Sequence, residues 1–175
     1  MQTFYIRREF LLKYNLKNRG KDIRRKKCFP GTESIQKIIL SSQTRDEKLL
    51  NICRLLKDAL LYYDWVGFYM AEQSKQELVL GPYVGAPTEH VRIPYGKGIC
   101  GQAAENRETI IVQDISGQTN YLSCSNDVRS EIVVPVFKDG RFVAELDIDS
   151  HELNPFSEED KKYLELVCRR VSVLF

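Results

Sequence analysis

The apolar residues of this chain recur with the spacing of a helix in two segments. From Asp46 to about Tyr63, positions three and four residues apart are apolar, namely Leu49, Ile52, Cys53, Leu56, Ala59 and Leu60. The second segment follows Ser157, which forms an acidic variant of the capping box with Asp160. Its apolar stripe contains Tyr163, Leu164, Val167, Cys168 and Val171. We therefore predict two amphipathic helices, with Cys53 and Cys168 on their buried faces.

Between these helices the pattern changes to short strand-like runs. The runs that predict strands are WVGFYM (65–70), ELVLGPYVG (77–85), HVRIP (90–94), IIVQDI (110–115), and the hairpin pair EIVVPVF and RFVAELDIDS around Lys138-Asp139-Gly140. GKGICGQAAENRET changes toward helix at Cys100. This order predicts an α+β fold, in which terminal helices cover one face of an antiparallel sheet. The connections that contain Cys100 and Cys124 are then expected to cover the other face.

Charge divides the chain near Pro30-Gly31. Residues 1–27 contain ten Lys or Arg against Glu9 and Asp22, a net charge of +8, which leaves −6 for residues 28–175. We interpret residues 1–31 as a basic arm and residues 32–175 as one domain. Clustered Lys and Arg favour binding to phosphate groups, as in nucleic acid or another anionic surface. The arm has no base-reading motif, so we favour a solvated or partly helical tail over nucleic-acid binding, the weaker alternative, which rests on charge alone.

Composition and cysteine usage indicate a cytoplasmic protein. Apolar residues make up 43% of the chain and charged residues 29%, and no apolar run approaches the roughly 20 residues that span a bilayer. Arg7 and Arg8 are followed by a short apolar patch without a small-residue cleavage site, which argues against a signal peptide. The five cysteines are an odd number at irregular spacing without a CxxC pair. We therefore expect catalytic or buried thiols, and neither a disulfide framework nor a zinc motif.

One of these cysteines, Cys124, lies in an unusual environment. It stands within YLSCSND, a segment that three residues separate from the strand EIVVPV. A cysteine is usually buried among apolar side chains, whereas Ser, Asn and Asp favour turns and loops. The position of Cys124 therefore indicates a role other than core packing.

Carboxylates are concentrated on the last predicted hairpin. Asp147 and Asp149 are two residues apart in a strand, so they share a face, either as an exposed strand end or as part of a site. The position of Glu131 depends on the register of the hairpin. A two-residue turn at Asp139-Gly140 would pair Glu131 with Ile148 and place it on the opposite face.

A three-residue loop with a left-handed Gly140 would instead pair Phe137 with Arg141 and Glu131 with Asp147. We favour this register, in which the three acids converge, because Pro135 fits an edge or a bulge. Clustered carboxylates gain pKa and suit a site that binds an ammonium group or donates a proton. Trp65 and Tyr69, four residues apart on the first strand, either wall such a pocket or belong to the core.

Six motifs between Trp65 and Glu159 resemble one family: WVGFY, LVLGPYVG, VRIPYGKGICG, SEIVVPV, LDIDS and FSEED. The chain is similar to the GAF-domain free methionine-(R)-sulfoxide reductases over nearly all of the predicted domain. The resemblance implies a GAF-like antiparallel sheet with a ligand pocket covered by loops. The combination of GICG, a loop cysteine before SEIV, and LDIDS is more specific than the GAF fold, which mostly serves as a small-molecule sensor.

The resemblance also implies roles for individual residues. Cys124 is the expected nucleophile, which attacks the sulfoxide sulfur and becomes a sulfenic acid; a second cysteine then forms a disulfide that thioredoxin reduces with electrons from NADPH. The acids Glu131, Asp147 and Asp149 hold the substrate's amino group and hydrogen-bond or protonate the sulfoxide oxygen. Trp65 and Tyr69 form the pocket wall. The family implies a homodimer and no bound metal or organic cofactor.

The chain departs from the family pattern at one cysteine. Family members of the three-cysteine type have a cysteine just ahead of VRIP, and this chain has His90 there. We predict that Cys100 resolves the Cys124 sulfenic acid, with an external thiol as the alternative. His90 is either neutral filler or, when protonated, favours the Cys124 thiolate. The alternative function is a GAF sensor or binding module that takes a small amino-acid-like ligand without turnover.

Overall fold

The computed structural model describes residues 29–120, 122 and 127–175. Its helices are α1 (Thr32–Ile39), α2 (Arg45–Ala59), α3 (Gly98–Asn106) and α4 (Glu158–Val171), with short 3-10 turns at Ile115–Gly117 and Ser172–Leu174. Its strands are β1 (Trp65–Glu72), β2 (Glu77–Val84), β3 (Arg92–Pro94), β4 (Ile110–Val112), β5 (Ser130–Lys138) and β6 (Arg141–Ser150). Within these residues, no helix is long and apolar enough to cross a membrane. Most of the basic arm, residues 1–28, lies outside the described residues.

The helices follow their local signals, with two differences from the sequence-based prediction. The capping box of Ser157 and Asp160 is confirmed at the start of α4. Helix α1 was not predicted. Helix α2 ends at Ala59 rather than Tyr63, because Leu60 takes extended backbone angles. Tyr62 and Tyr63 instead donate hydrogen bonds to the buried carboxylate of Asp160, and these bonds join the end of α2 to α4.

The strands form one sheet in the order β3-β2-β1-β6-β5-β4, and every neighbouring pair is antiparallel. Apolar residues of α1, α2 and α4 pack against one face, for example Ile35, Leu56 and Leu164 against Phe68 and Ile148. Helix α3 packs against the opposite face, where a second cluster surrounds Tyr69 and Val133. The predicted α+β fold, with terminal helices on one face of an antiparallel sheet, is therefore confirmed.

The hairpin of β5 and β6 differs from the predicted register. Asp139 and Gly140 both take left-handed angles, with φ of 50° and 75°, and Lys138 pairs with Arg141. This is the two-residue turn that the sequence analysis rejected, so the predicted three-residue loop is wrong. The predicted pairing of Glu131 with Asp147 is also wrong, since Glu131 lies opposite Asp149.

A bulge in β6 places Glu131 on the same face of the sheet as Asp147 and Asp149, which the two-residue turn alone would not have done. Phe137 pairs with Phe142, but Val136 pairs with Ala144, so Val143 is an extra residue on β6. One extra residue shifts the alternation of all later side chains by one position. Pro135 pairs with Glu145 beside this bulge and lies beyond the residues of β5 that pair with β4, which agrees with its preference for bulges and edges. The three acids consequently converge, as predicted, through a different local geometry.

Candidate active site

The acidic side chains lie in adjacent rows across the middle of the sheet. Asp149 pairs with Trp65 on one side and with Glu131 on the other. Asp147, two residues earlier on β6, pairs with Gly67 and Val133. Asp147 and Asp149 are fully buried and Glu131 is 4% exposed, so the interpretation of an exposed strand end is wrong. The structure brings together the three acids that the sequence analysis proposed.

A fourth carboxylate on this face was missed by the sequence analysis. Glu145 pairs with Tyr69 and Pro135, and it is fully buried. The signal was present in AELDIDS, where Glu145 continues the alternation of Asp147 and Asp149 toward the start of the strand. The acidic face is therefore defined by Glu145, Asp147 and Asp149 of β6, together with Glu131 beside them on β5.

Helix α3 brings Cys100 onto this acidic face. The Cys100 thiol donates to Oε1 of Glu131 over 3.7 Å. The close approach of α3 depends on Gly101, because a Cβ atom there would overlap the carbonyl oxygen of Pro94. The two glycines of GICG thus have separate roles, since Gly98 takes the left-handed angle, with φ of 63°, that begins the helix. Cys100, a predicted site residue, is in contact with the predicted acids.

Burial and mutual repulsion raise the pKa values of these acids. Burial raises the pKa of Glu131 well above its usual range, and the charges of Asp147, Asp149 and Glu145 add to the effect. Burial and the charge of Asp147 do the same to the pKa of Glu145. Burial raises the pKa of Asp147 to about 7, although hydrogen bonds from Cys100 and the Ile148 backbone oppose the shift. These shifts all favour the protonated form of the carboxyl groups.

This arrangement predicts that Glu145→Gln increases stability most at alkaline pH. Because the pKa of Glu145 is raised in the folded state, the folded state binds a proton that the unfolded state releases above about pH 4. The wild-type free energy of unfolding therefore falls as pH rises above that value, and the neutral amide removes this loss. Thermal unfolding of the wild type and the variant at pH 5 and pH 8 measures this loss of stability. The exposed Glu108→Gln is the control, and equal effects of both variants at the two pH values would contradict the prediction.

Aromatic side chains form one wall beside the acids. The Trp65 indole donates to the Ala86 carbonyl over 3.1 Å and stacks on Tyr83 with ring centroids 5.2 Å apart. A Cβ atom on Gly67 or Gly85 would overlap this indole, so both glycines make room for it. The Trp65 and Tyr69 rings lie 6.3 Å apart. Tyr83 is thus a further aromatic residue of the wall, which the sequence analysis did not single out.

The predicted nucleophile Cys124 lies outside the described residues, but the chain on its N-terminal side is described. Asn120 donates to the carbonyl of Gly96 over 2.8 Å and accepts from the backbone N–H of Gly98 over 3.3 Å. Leu122 lies against Gly98 at the start of α3. The chain therefore enters the segment of Cys124 beside the helix that carries Cys100.

His90 lies at the edge of the aromatic wall. Its backbone carbonyl accepts a hydrogen bond from the Tyr69 hydroxyl over 3.0 Å. Its side chain is half-buried. The predicted alternatives for His90, filler or support of the Cys124 thiolate, remain predictions because Cys124 is outside the described residues.

Comparison with known proteins agrees with this fold. The GAF domain family model matches residues 44–175. GAF domain-containing protein A of Dictyostelium discoideum is 36% identical, over 77% of this chain and 84% of the relative. Free methionine-R-sulfoxide reductase of Saccharomyces cerevisiae is 31% identical, over 80% of this chain and 84% of the yeast protein. The X-ray structure of free methionine-R-sulfoxide reductase from Neisseria meningitidis, in complex with its substrate, is 36% identical with a TM-score of 0.76, over 82% of this chain and 84% of that one.

These matches identify the class of protein. The chain belongs to the GAF-domain family, within the group of the free methionine-R-sulfoxide reductases, as its motifs predicted.

Proposed function

We propose that this protein reduces free methionine-(R)-sulfoxide to methionine. The observation that carries the proposal is the buried group of Glu131, Asp147 and Asp149 beside Trp65 and Cys100, in a chain of this family. Carboxylates in a buried cluster require protons, donors or a cation. Free methionine sulfoxide supplies an ammonium group, and its methyl-sulfur end suits an aromatic wall.

Specificity for the free amino acid follows from the same charges. An ammonium group placed among the three acids offsets their mutual repulsion and replaces the water that each carboxylate loses on burial. A methionine sulfoxide within a peptide has no free ammonium group to place there. We infer that the acids select the free amino acid, while Trp65, Tyr69 and Tyr83 contact its methyl-sulfur end.

The reaction begins at the Cys124 thiol. Its sulfur attacks the sulfoxide sulfur, the S–O bond breaks, methionine leaves as the thioether, and the oxygen remains on Cys124 as a sulfenic acid. The thiol sulfur is oxidised by two electrons and the sulfoxide is reduced by two. Leu122 lies at the start of α3 and precedes Cys124 by two residues, which reach at most about 7 Å. This reach supports the role of Cys124 in a reaction beside Cys100.

The acids supply the proton that this step needs. The sulfoxide oxygen becomes a better leaving group when it accepts a proton or a strong hydrogen bond. Burial raises the pKa of Asp147 to about 7, and burial and the neighbouring charges raise the pKa of Glu131 well above its usual range, so both shifts favour a carboxyl group that can donate a proton. The remaining ionised carboxylates bind the ammonium group, so one cluster supplies both functions.

Recycling uses a second thiol. The Cys100 thiolate attacks the Cys124 sulfenic acid, water leaves, and a disulfide forms. Thioredoxin then reduces this disulfide by exchange, with NADPH as the source of electrons. An external thiol that attacks the sulfenic acid is the alternative, because His90 occupies the position of the family's first cysteine. We further propose that the protein is a cytoplasmic homodimer, and that turnover requires no metal or organic cofactor.

Methionine formation from each epimer of free methionine sulfoxide tests the proposal. With thioredoxin as reductant, we expect turnover of the R epimer and none of the S epimer. Peptide-bound methionine-(R)-sulfoxide is the matched control for selection of the amino group and should not be reduced. A protein that binds methionine but forms no product from either epimer, even stoichiometrically, would instead be a GAF binding module.

A further inference from the structure

Three side chains at the acidic face also form a set of ligand atoms suited to a metal ion. Among the described residues, the sulfur of Cys100 and one carboxylate oxygen each of Glu131 and Asp147 lie within 4.8 Å of one another. All three side chains are buried. One soft thiol and two carboxylates form a donor set that zinc accepts.

The carboxylates around this thiol have few hydrogen-bond donors beyond the thiol itself and the backbone of Ile148. Both oxygens of Asp147 and both oxygens of Glu145 are buried, and no side-chain N–H or O–H group among the described residues donates to them. The Cys100 thiol lies close enough to interact with both carboxylates. Buried carboxylates with so few donors require a proton or a cation. This observation is independent of the donor set and also indicates a positively charged ligand.

We propose that the reduced protein binds Zn²⁺ or a similar thiophilic divalent cation between the Cys100 thiolate and the carboxylates of Glu131 and Asp147. A tetrahedral zinc with bonds of about 2.3 Å to sulfur and about 2.0 Å to oxygen separates those two ligand atoms by about 3.5 Å. The 3.7 Å between the Cys100 sulfur and Oε1 of Glu131 is close to this separation. Three protein ligands leave the fourth position for water or another small ligand.

The chemistry of the donors selects this class of cation. Mg²⁺ and Ca²⁺ bind six or more oxygen ligands and gain little from a thiolate. Binding displaces the proton of the Cys100 thiol and any protons on the two carboxylates, so the affinity rises with pH. The metal takes two of the carboxylates that we assign to the substrate's ammonium group. The metal and the amino acid therefore exclude each other, and the metal acts as an inhibitor.

Titration of the full, reduced chain with Co²⁺ tests this site, because a cobalt–thiolate bond gives a charge-transfer band in the near ultraviolet. We expect the band in the wild type and in Cys124→Ser, and its loss in Cys100→Ser. Glu131→Gln and Asp147→Asn should weaken binding by more than the roughly 10- to 100-fold that loss of an outer-shell partner costs. Cys168→Ala is the matched control, because Cys168 is buried on the opposite face, against the carbonyl of Val134.

Four outcomes would overturn the proposal: no band in the wild type, a band that persists in Cys100→Ser, loss of the band in Cys124→Ser, or unchanged affinity in both carboxylate variants. Circular dichroism confirms that each variant is folded, and the two carboxylate variants carry the test if Cys100→Ser does not fold. The readout requires no turnover. Failure of the proposed reductase activity would therefore leave the metal test intact, and the reverse also holds.

Discussion

Cys124→Ser should abolish methionine formation even in a single turnover, whereas Cys100→Ser should still form one methionine per protein molecule. A serine hydroxyl cannot take the oxygen from the sulfoxide in the way a thiolate does, because it is far less nucleophilic and scarcely ionised near neutral pH. Cys100→Ser keeps a hydrogen-bond donor near Glu131, so the acidic face retains the contact that the thiol makes. Its defect should be confined to recycling.

The roles of the two thiols are distinguished by measuring the amount of methionine over time after the enzyme is mixed with the R epimer. The wild type should show a steady rate with thioredoxin, Cys100→Ser a burst without a steady rate, and Cys124→Ser neither. A small thiol such as dithiothreitol should restore turnover to Cys100→Ser, because it attacks the sulfenic acid directly. If Cys100→Ser turns over normally with thioredoxin, an external thiol resolves Cys124. If Cys124→Ser gives a full burst, the assignment of the nucleophile is wrong.

Asp147→Asn should lower activity and raise stability at the same pH. The variant removes a proton donor from the site, and general acid catalysis of this kind is worth roughly 10²- to 10⁴-fold in rate. It also removes a buried carboxylate whose pKa is raised to about 7. Each pKa unit of such a shift corresponds to about 1.4 kcal/mol, so we expect the variant to be more stable than the wild type at pH 8.

The sign of the pH effect follows from proton binding. Between the unfolded-state pKa of 3.8 and the folded-state pKa of about 7, Asp147 is protonated mainly in the folded state. Wild-type stability is therefore lost as pH rises through this window, and the asparagine variant should show a smaller loss. Thermal unfolding at pH 5 and pH 8, together with kcat/KM, measures both effects. Parallel losses of activity and stability at pH 8 would show that Asp147 has a structural role instead.

The hairpin shows why sequence reasoning reached the correct face by an incorrect route. Asp139-Gly140 suits a two-residue turn, because both residues tolerate left-handed angles, and the chain adopts that turn. The bulge at Val143 has no marker in the local sequence comparable with that of a glycine-rich turn. It places Glu131 of β5 on the same face as Asp149 of β6, and Ile132 on the same face as Ile148. The two-residue turn without an extra residue would have put these pairs on opposite faces.

Burial and distance were the properties that the sequence analysis judged least well. The alternation of Asp147 and Asp149 with Leu146 and Ile148 determines that the acids share a face, but an exposed strand end has the same pattern. Glu145 follows the same alternation and was missed, because one more acid in a strand carries no local signal of burial. Helix α3 decides the matter, since it covers the acidic face and places Cys100 against Glu131.

By itself, the sequence determined the elements, the faces and the family of this protein. Periodicity and capping residues are local properties, and the motifs from WVGFY to FSEED identify one family. Only the tertiary structure decided that four carboxylates are buried together around the thiol of Cys100. The pKa of each acid depends on its loss of water and on charges from other strands and a helix, which are set by distances across the fold rather than along the chain.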